Sequence, residues 1–407
     1  MNDRGSATGS PRAVARGRGA VVIAGGVARC PDRAGHAWAF LQYVLGFRRL
    51  GWDVLWLDSV DPGPDGSSPE ERQIAWFRSL ATRFGLERDA ALLVGATSPR
   101  GAGPPVFGAT RREVLERVRA SDFLVNVMGY LRDEELLAAA RRRVFLDIDP
   151  GFGQMWQDLG LARPFADHDA FATVGVRIGR DDCPIPTLGL PWIPTLPPVV
   201  LDRFPAEAPA GDAFTSLCTW RGPFAPVDHG GWRYGLRAHE LRRFVDLPGR
   251  TGARFELALD IAAEDGADRS LLERAGWILR DPAAAGRDPE AYRRFIVESG
   301  AEIGVAKGMY VDTRCGWFSD RSVCYLATGR PVVAQETGWS EGLPAGRGLL
   351  AFTDLDGAVA AVEAVRAQSA RHARAAREIA VRHFDSDIVL ASLADRVGAG
   401  VSVGVAT

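Results

Sequence analysis

Between Cys183 and Ala210 the chain carries eight prolines: Pro184, Pro186, Pro191, Pro194, Pro197, Pro198, Pro205 and Pro209. No helix survives that density, because each ring fixes φ and removes a backbone donor. The stretch reads as an extended connection. On either side of it the same grammar repeats. Short apolar runs end in turn residues and give way to segments with helical spacing. The first series opens with a strand at Ala20–Ala24, a turn at Gly25-Gly26, a helix over Gly35–Leu50 stopped by Gly51, and a strand at Val54–Leu57 ending on Asp58. Further strands are predicted at Ala91–Val94, Phe123–Val127, Arg143–Ile148 and Phe171–Val174. Helices are predicted over Glu70–Phe84, Thr110–Ala120 and Arg132–Ala140. The second series starts at Phe214–Leu217 and alternates through Phe255–Leu259, Ala301–Val305, Pro331–Ala334 and Gly348–Phe352 to an amphipathic helix at Ala370–His383. Alternating β and α elements form parallel, doubly wound sheets. The expected fold class is therefore α/β, with two Rossmann-like domains facing across a cleft. The expected boundaries are a disordered tail at 1–17, a first domain at 18–195, a linker at 196–212, a second domain at 213–383, and a segment at 384–407 returning to the first domain.

Length agrees with this division, since 407 residues exceed one ordinary α/β core. A net charge of −2, with no basic run beyond Arg141-Arg142-Arg143, argues against a nucleic-acid footprint, which needs clustered cations. The five cysteines form no Cys-x-x-Cys pair, which sets aside a disulfide framework and a zinc site. Reduced thiols and the lack of any long apolar run predict a cytoplasmic chain without a membrane span; a monomer or homodimer is expected. The Gly, Ser and Arg of the first seventeen residues read as a tail and not a signal peptide. Arginine and alanine dominate as in a GC-rich genome, and among 49 basic residues only Lys307 is a lysine.

Several residues carry candidate chemistry. Arg314-Cys315-Gly316-Trp317-Phe318-Ser319-Asp320-Arg321 leads into a helix whose N-cap is Ser319 or Asp320. Free amides at such a start bind phosphate, and Arg321 on the first turn adds a charged donor. His36, at the start of the first helix after Gly25-Gly26, lies where a general base would face the cleft, with a pKa near working pH. Asp147 and Asp149 end a buried strand and, with Gln154, either bind an acceptor, close a turn, or form an Asp-x-Asp metal motif. Eleven tryptophans, Trp220 and Trp317 among them, offer faces for sugars or bases or simply pack the core.

The run Ala327-Thr328-Gly329-Arg330-Pro331-Val332-Val333 resembles the donor-binding segment of GT-B nucleotide-sugar glycosyltransferases, and specifically the members similar to glycogen synthase. Two carboxylates of that family fall here on Gly316 and Cys324, so the residues serving its retaining chemistry and ribose contact are absent. Gly35-His36, followed at the end of that helix by Gly51-Trp52-Asp53-Val54, resembles the first helix of the inverting members. That resemblance implies His36 as base, with Asp122 as its orienting carboxylate by analogy. It also implies that Trp220 and Arg221 (in Thr219-Trp220-Arg221-Gly222), Lys307 and Arg321 flank a donor diphosphate, and that Glu336-Thr337-Gly338 meets the donor sugar. The function so implied is transfer of a sugar from a nucleoside-diphosphate sugar to a small-molecule or peptide acceptor, with inversion, no obligatory cofactor and no metal. Two other readings stay open: an inactive GT-B-like binding or scaffold protein, and a nucleotide-sugar epimerase-like enzyme of the same fold.

Overall fold

A computed structural model describes residues 18–62, 69–95, 105–208 and 211–398. The expected tail at 1–17 and the end of the returning segment, 399–407, lie outside the described residues. The first sheet has eight strands: β1 (Ala20–Ala24), β2 (Asp53–Val60), β3 (Ala90–Val94), β4 (Phe107–Gly108), β5 (Phe123–Val127), β6 (Arg143–Asp147), β7 (Ala170–Thr173) and β8 (Trp192–Pro194). They run in the order β4-β3-β2-β1-β5-β6-β7-β8, parallel except for β4 against β3. The second sheet is built from β9 (Phe214–Thr219), β12 (Phe255–Asp260), β13 (Ile278–Arg280), β14 (Ala301–Gly304), β15 (Val332–Gln335) and β16 (Leu349–Phe352). Its order is β13-β12-β9-β14-β15-β16, parallel throughout. A separate hairpin, β10 (Val227–His229) and β11 (Trp232–Tyr234), rises between β9 and β12.

Strand periodicity explains why both faces of the first sheet are covered. Val21 and Ile23 of β1 face the helix Ala34–Arg49 through a core with Phe40 and Val44. Val22 and Ala24, one residue out of phase, face the opposite side with Val114 and Val118 of the helix Arg111–Ala120. A strand buried on both faces has no polar register, which is why it reads as a continuous apolar run. Each such Val or Ile stabilises the fold by roughly 1.5–3 kcal/mol on burial.

The helix Ala34–Arg49 also joins the two sheets. The buried Gln42 accepts the Val200 amide at 2.7 Å and reaches Cys324 of the helix Asp320–Ala327 at 3.7 Å. The helix Ser386–Gly398 crosses Ala34–Arg49 at Gly46, where a Cβ would come within 2.5 Å of Leu390. Only glycine admits that approach. Arg49 pairs with Asp387, and Val199 exchanges backbone hydrogen bonds with Phe384 and Ser386, so the C-terminal segment is held on the first lobe. Among the described residues no helix is long and apolar enough to cross a membrane.

Candidate active site between the two sheets

In each sheet the connections leave in opposite directions from one central pair: β1 with β5 in the first, β9 with β14 in the second. Such switch points open a crevice at the carboxyl ends of the strands, where α/β proteins bind ligands. At the second switch point sits Arg237, the first residue of the short helix Arg237–Leu241. Its Nε donates to the Val305 carbonyl and its Nη1 to the Thr219 carbonyl, both at 3.0 Å, so one guanidinium ties the chain beyond β14 to the end of β9. It is buried, and none of its hydrogen bonds goes to a carboxylate. Burial pushes its pKa down, yet an arginine stays charged at neutral pH. Its hydrogen-bond partners are two carbonyls and the Thr219 hydroxyl, and the nearby Asp149 carboxylate, itself paired with Lys307, only partly offsets its charge.

Next to it lies a pair that the sequence placed on different ligands. Lys307 Nζ is 2.7 and 2.8 Å from the two carboxylate oxygens of Asp149, and the Tyr310 hydroxyl donates to the same carboxylate. The Phe152, Phe224 and Tyr310 ring centroids surround Nζ at 5.1, 5.4 and 5.3 Å, and Trp317 stacks on Tyr310 at 4.3 Å. Burial lowers the Lys307 pKa, with Asp149 opposing it. Asp149 follows β6 and Lys307 follows β14, so the ion pair spans the two lobes.

Asp147 and Gln154 are occupied with structure, and neither is open to an acceptor. Asp147 accepts from Gln154 at 2.7 Å and from the Thr173 hydroxyl at 2.9 Å, while Gln154 accepts the Gly151 amide at 2.9 Å. Burial pushes Asp147 up to about 6. These bonds close the β6 turn, one of the outcomes expected of an Asp-x-Asp at a strand end. Among the described residues no group of three His, Cys, Asp or Glu side chains is placed to hold a metal ion.

The helix Asp320–Ala327 begins against the first lobe, with Phe318 stacked on Phe384 at 5.3 Å. Ser319 Oγ accepts the Arg321 amide at 3.2 Å, so one of the expected free donors is already capped. Arg321 lines the crevice, but two of its nitrogens are already engaged by the fold. Its Nε lies 2.5 Å from Glu302 and its Nη1 3.2 Å from the Leu217 carbonyl, because a buried guanidinium at this helix face meets the fully buried Glu302 of β14. The crevice left among Ala306, Phe318, Ser319, Gln335 and Trp339 holds only about 10 Å³, room for one water.

Three more expectations are corrected or reduced. Trp220 belongs to the second core and offers no stacking face, its ring lying beneath Arg242 at 5.6 Å. Arg221 is turned away onto Asp265 at 2.8 Å. Glu336 caps its own turn through the Gly338 amide, and Thr337 donates to the Trp317 carbonyl. That turn braces Trp317 at the crevice, with Gly338 at φ +94° and so close to the Arg314 carbonyl that a Cβ would strike it.

On the first lobe Gly25 lies under the Phe40 ring and Gly26 against Tyr130. His36 donates from Nε2 to the Gly26 carbonyl at 3.1 Å, which leaves Nδ1 with the lone pair. Burial lowers its pKa, so the ring is neutral near pH 7. Asp122 is not its partner. It precedes β5, at the amino end of the sheet, and accepts the Ala20 amide at 2.8 Å, while His36 follows the carboxyl end of β1. Arg237 and Tyr310 were missed from the sequence. Neither belongs to a recognisable motif, and an arginine among so many carries no signal until its burial is known.

The sequence matches no protein-family model and no curated protein. The fold does have relatives among solved structures. The chain is similar to HepE from Anabaena in complex with UDP-glucose, with a TM-score of 0.57 at 11% identity over 94% of this chain and 100% of that one. It is similar to an α-glucosyltransferase in complex with UDP and a 13-mer DNA (TM-score 0.56, 12% identity, 94% and 100% covered). It is also similar to AviGT4, a glycosyltransferase of avilamycin A biosynthesis (0.52, 15%, 94% and 98%). The chain therefore has the GT-B fold, two Rossmann-like domains facing across a cleft. One of these relatives carries DNA, so the fold lends no support to the exclusion of a nucleic-acid acceptor drawn from charge alone.

Proposed function

We propose that the protein transfers a sugar from a nucleoside-diphosphate sugar to an acceptor nucleophile. The observation that carries this reading is Arg237, a buried guanidinium with no carboxylate partner at the switch point of the second sheet. A diphosphate supplies the missing negative charge, and charge-assisted hydrogen bonds there stabilise the leaving group as the bond to the anomeric carbon breaks. Lys307 exchanges Asp149 for a phosphate oxygen as the crevice beside Ser319 opens. The neutral His36, with its Nδ1 lone pair, takes the acceptor proton. Gly316 in place of the family's carboxylate, together with His36 as base, supports attack from the opposite face and inversion. The UDP-bound relatives make UDP-sugars the first donors to try.

Isothermal titration with UDP-, GDP- and dTDP-sugars tests the reading. At least one binds the native protein, and Arg237→Gln weakens it about 10- to 150-fold, the equivalent of one charge-assisted hydrogen bond. No binding by any donor overturns it. A binding protein without turnover is the second reading, favoured by Cys324 in place of the family's ribose-binding carboxylate. Slow hydrolysis of a bound donor decides for the enzyme.

A further inference from the structure

We infer that the acceptor bears an oxyanion, a phosphate or carboxylate group, held at the switch point of the first sheet by Arg29 and Arg132; this rests on the transfer reading above. At the carboxyl ends of β1 and β5 the structure forms a cavity of about 350 Å³ lined by Arg29, Met128, Gly129, Tyr130 and Arg132. That volume suits a small molecule. Two of the five lining residues are cations and none is acidic. The Arg29 guanidinium lies 5.6 Å from the Tyr130 ring centroid and donates from one nitrogen, Nη2, to Asp61 at 2.7 Å, which leaves its other donors for a ligand. Arg132 is exposed, and its acidic neighbours Asp133 and Glu135 pair with Arg111. A guanidinium offers hydrogen-bond donors in a fixed fork and no acceptor, so this wall recognises oxyanions better than neutral hydroxyls.

The wall is held in place before any ligand arrives. Asp58 accepts the Val27 and Ala28 amides at 2.7 and 3.2 Å, which fixes the loop carrying Arg29. Asn126 accepts the Leu131 amide at 3.0 Å and donates to its carbonyl at 2.8 Å, which closes the loop carrying Tyr130 and Arg132. Met128 is kept at φ +54°, a left-handed backbone that a side chain adopts only under constraint from its surroundings. The cavity also adjoins the candidate base. The Tyr130 ring stands 3.1 Å from where a Cβ of Gly26 would be, and the Gly26 carbonyl holds His36. An acceptor anchored by its anion on Arg29 and Arg132 therefore brings a hydroxyl toward His36.

The test uses the full chain saturated with UDP, so that the donor crevice is filled. Inorganic phosphate, glycerol 3-phosphate, glucose 6-phosphate and glucuronate are titrated against neutral glycerol and glucose. At least one anionic probe binds about tenfold tighter than its neutral counterpart, and Arg132→Gln or Arg29→Gln removes about that factor. UDP affinity in both variants is unchanged. Preference for the phosphates assigns a phosphate, and preference for glucuronate a carboxylate. The inference is overturned if no anionic probe exceeds its neutral counterpart, or if Arg132→Gln leaves the difference intact. If UDP itself fails to bind, the same titrations on the free protein still decide, and the donor reading falls separately.

Discussion

Asp149→Asn, combined with Lys307→Met in a double-mutant cycle, tests whether the ion pair between the lobes stabilises the fold as its geometry implies. The two side chains are 20% and 10% exposed, and Nζ contacts both carboxylate oxygens. Removing one partner of a buried pair costs about 3–5 kcal/mol, because the other charge is stranded. Asp149 keeps some solvent, and an asparagine oxygen still accepts from Tyr310, so we expect about 2–4 kcal/mol for Asp149→Asn. Lys307→Met strands the carboxylate beside Tyr310 and Phe152 at a comparable cost. The double variant strands nothing, since an apolar chain of similar volume inside the Phe152, Phe224 and Tyr310 rings is often neutral or better. Urea unfolding of the four proteins, extrapolated linearly to water, gives the coupling energy. We expect about 2 kcal/mol or more. Single-variant losses that add in the double variant, within about 0.5 kcal/mol, would refute the reasoning.

His36→Ala should abolish transfer while donor affinity, read by titration, stays as in the native protein; unchanged turnover removes His36 from the mechanism. Arg237→Gln should change folding stability by less than about 2 kcal/mol, because lost carbonyl bonds are offset by relief of a desolvated charge, and a larger drop in urea midpoint would make it a structural arginine. Asp58 gives the pH dependence. Burial raises it to about 7 from the usual 3.8, so its favourable contribution is complete below about 4 and is lost as pH rises through 7, on the order of 4 kcal/mol. Asp58→Asn should flatten stability between pH 4 and 7, and an unaltered slope in urea midpoints would contradict this. Gly46→Ala should cost about 1–3 kcal/mol by forcing Leu390 away, visible as earlier unfolding and faster proteolysis of the segment Ser386–Gly398.

The sheets were legible in the sequence because their strands are buried on both faces. Ala20–Ala24, Phe123–Val127 and Ala301–Gly304 must be continuous apolar runs, and the intervening helices must carry one apolar stripe. Two Rossmann-like domains follow from that alternation repeated on both sides of the prolines, while GT-B was legible only through the resemblance of Ala327–Val333 and Gly35–Val54 to that family. Other elements escaped. The hairpin Val227–Tyr234 carried a usable signal, the Gly230-Gly231 turn at φ +58° and +82°. The helix Phe152–Asp158 is too short for a helical period to show, and the C-terminal helix Ser386–Gly398 declares itself by a crossing at Gly46, which no local pattern encodes.

For the site, the sequence by itself determined which residue types were on hand: a helix start at Ser319, a lysine after β14, a histidine after β1. Only the tertiary structure decided which of their charges remain to be used. Arg321 and Arg221 are each paired with a carboxylate, Glu302 and Asp265. Lys307 and Asp149, about 160 residues apart along the chain, hold each other across the lobes. Arg237, unremarkable in sequence, is left without a hydrogen-bonded carboxylate. Electrostatic interaction depends on distance and on the water excluded, and both are properties of the packed lobes and not of spacing along the chain.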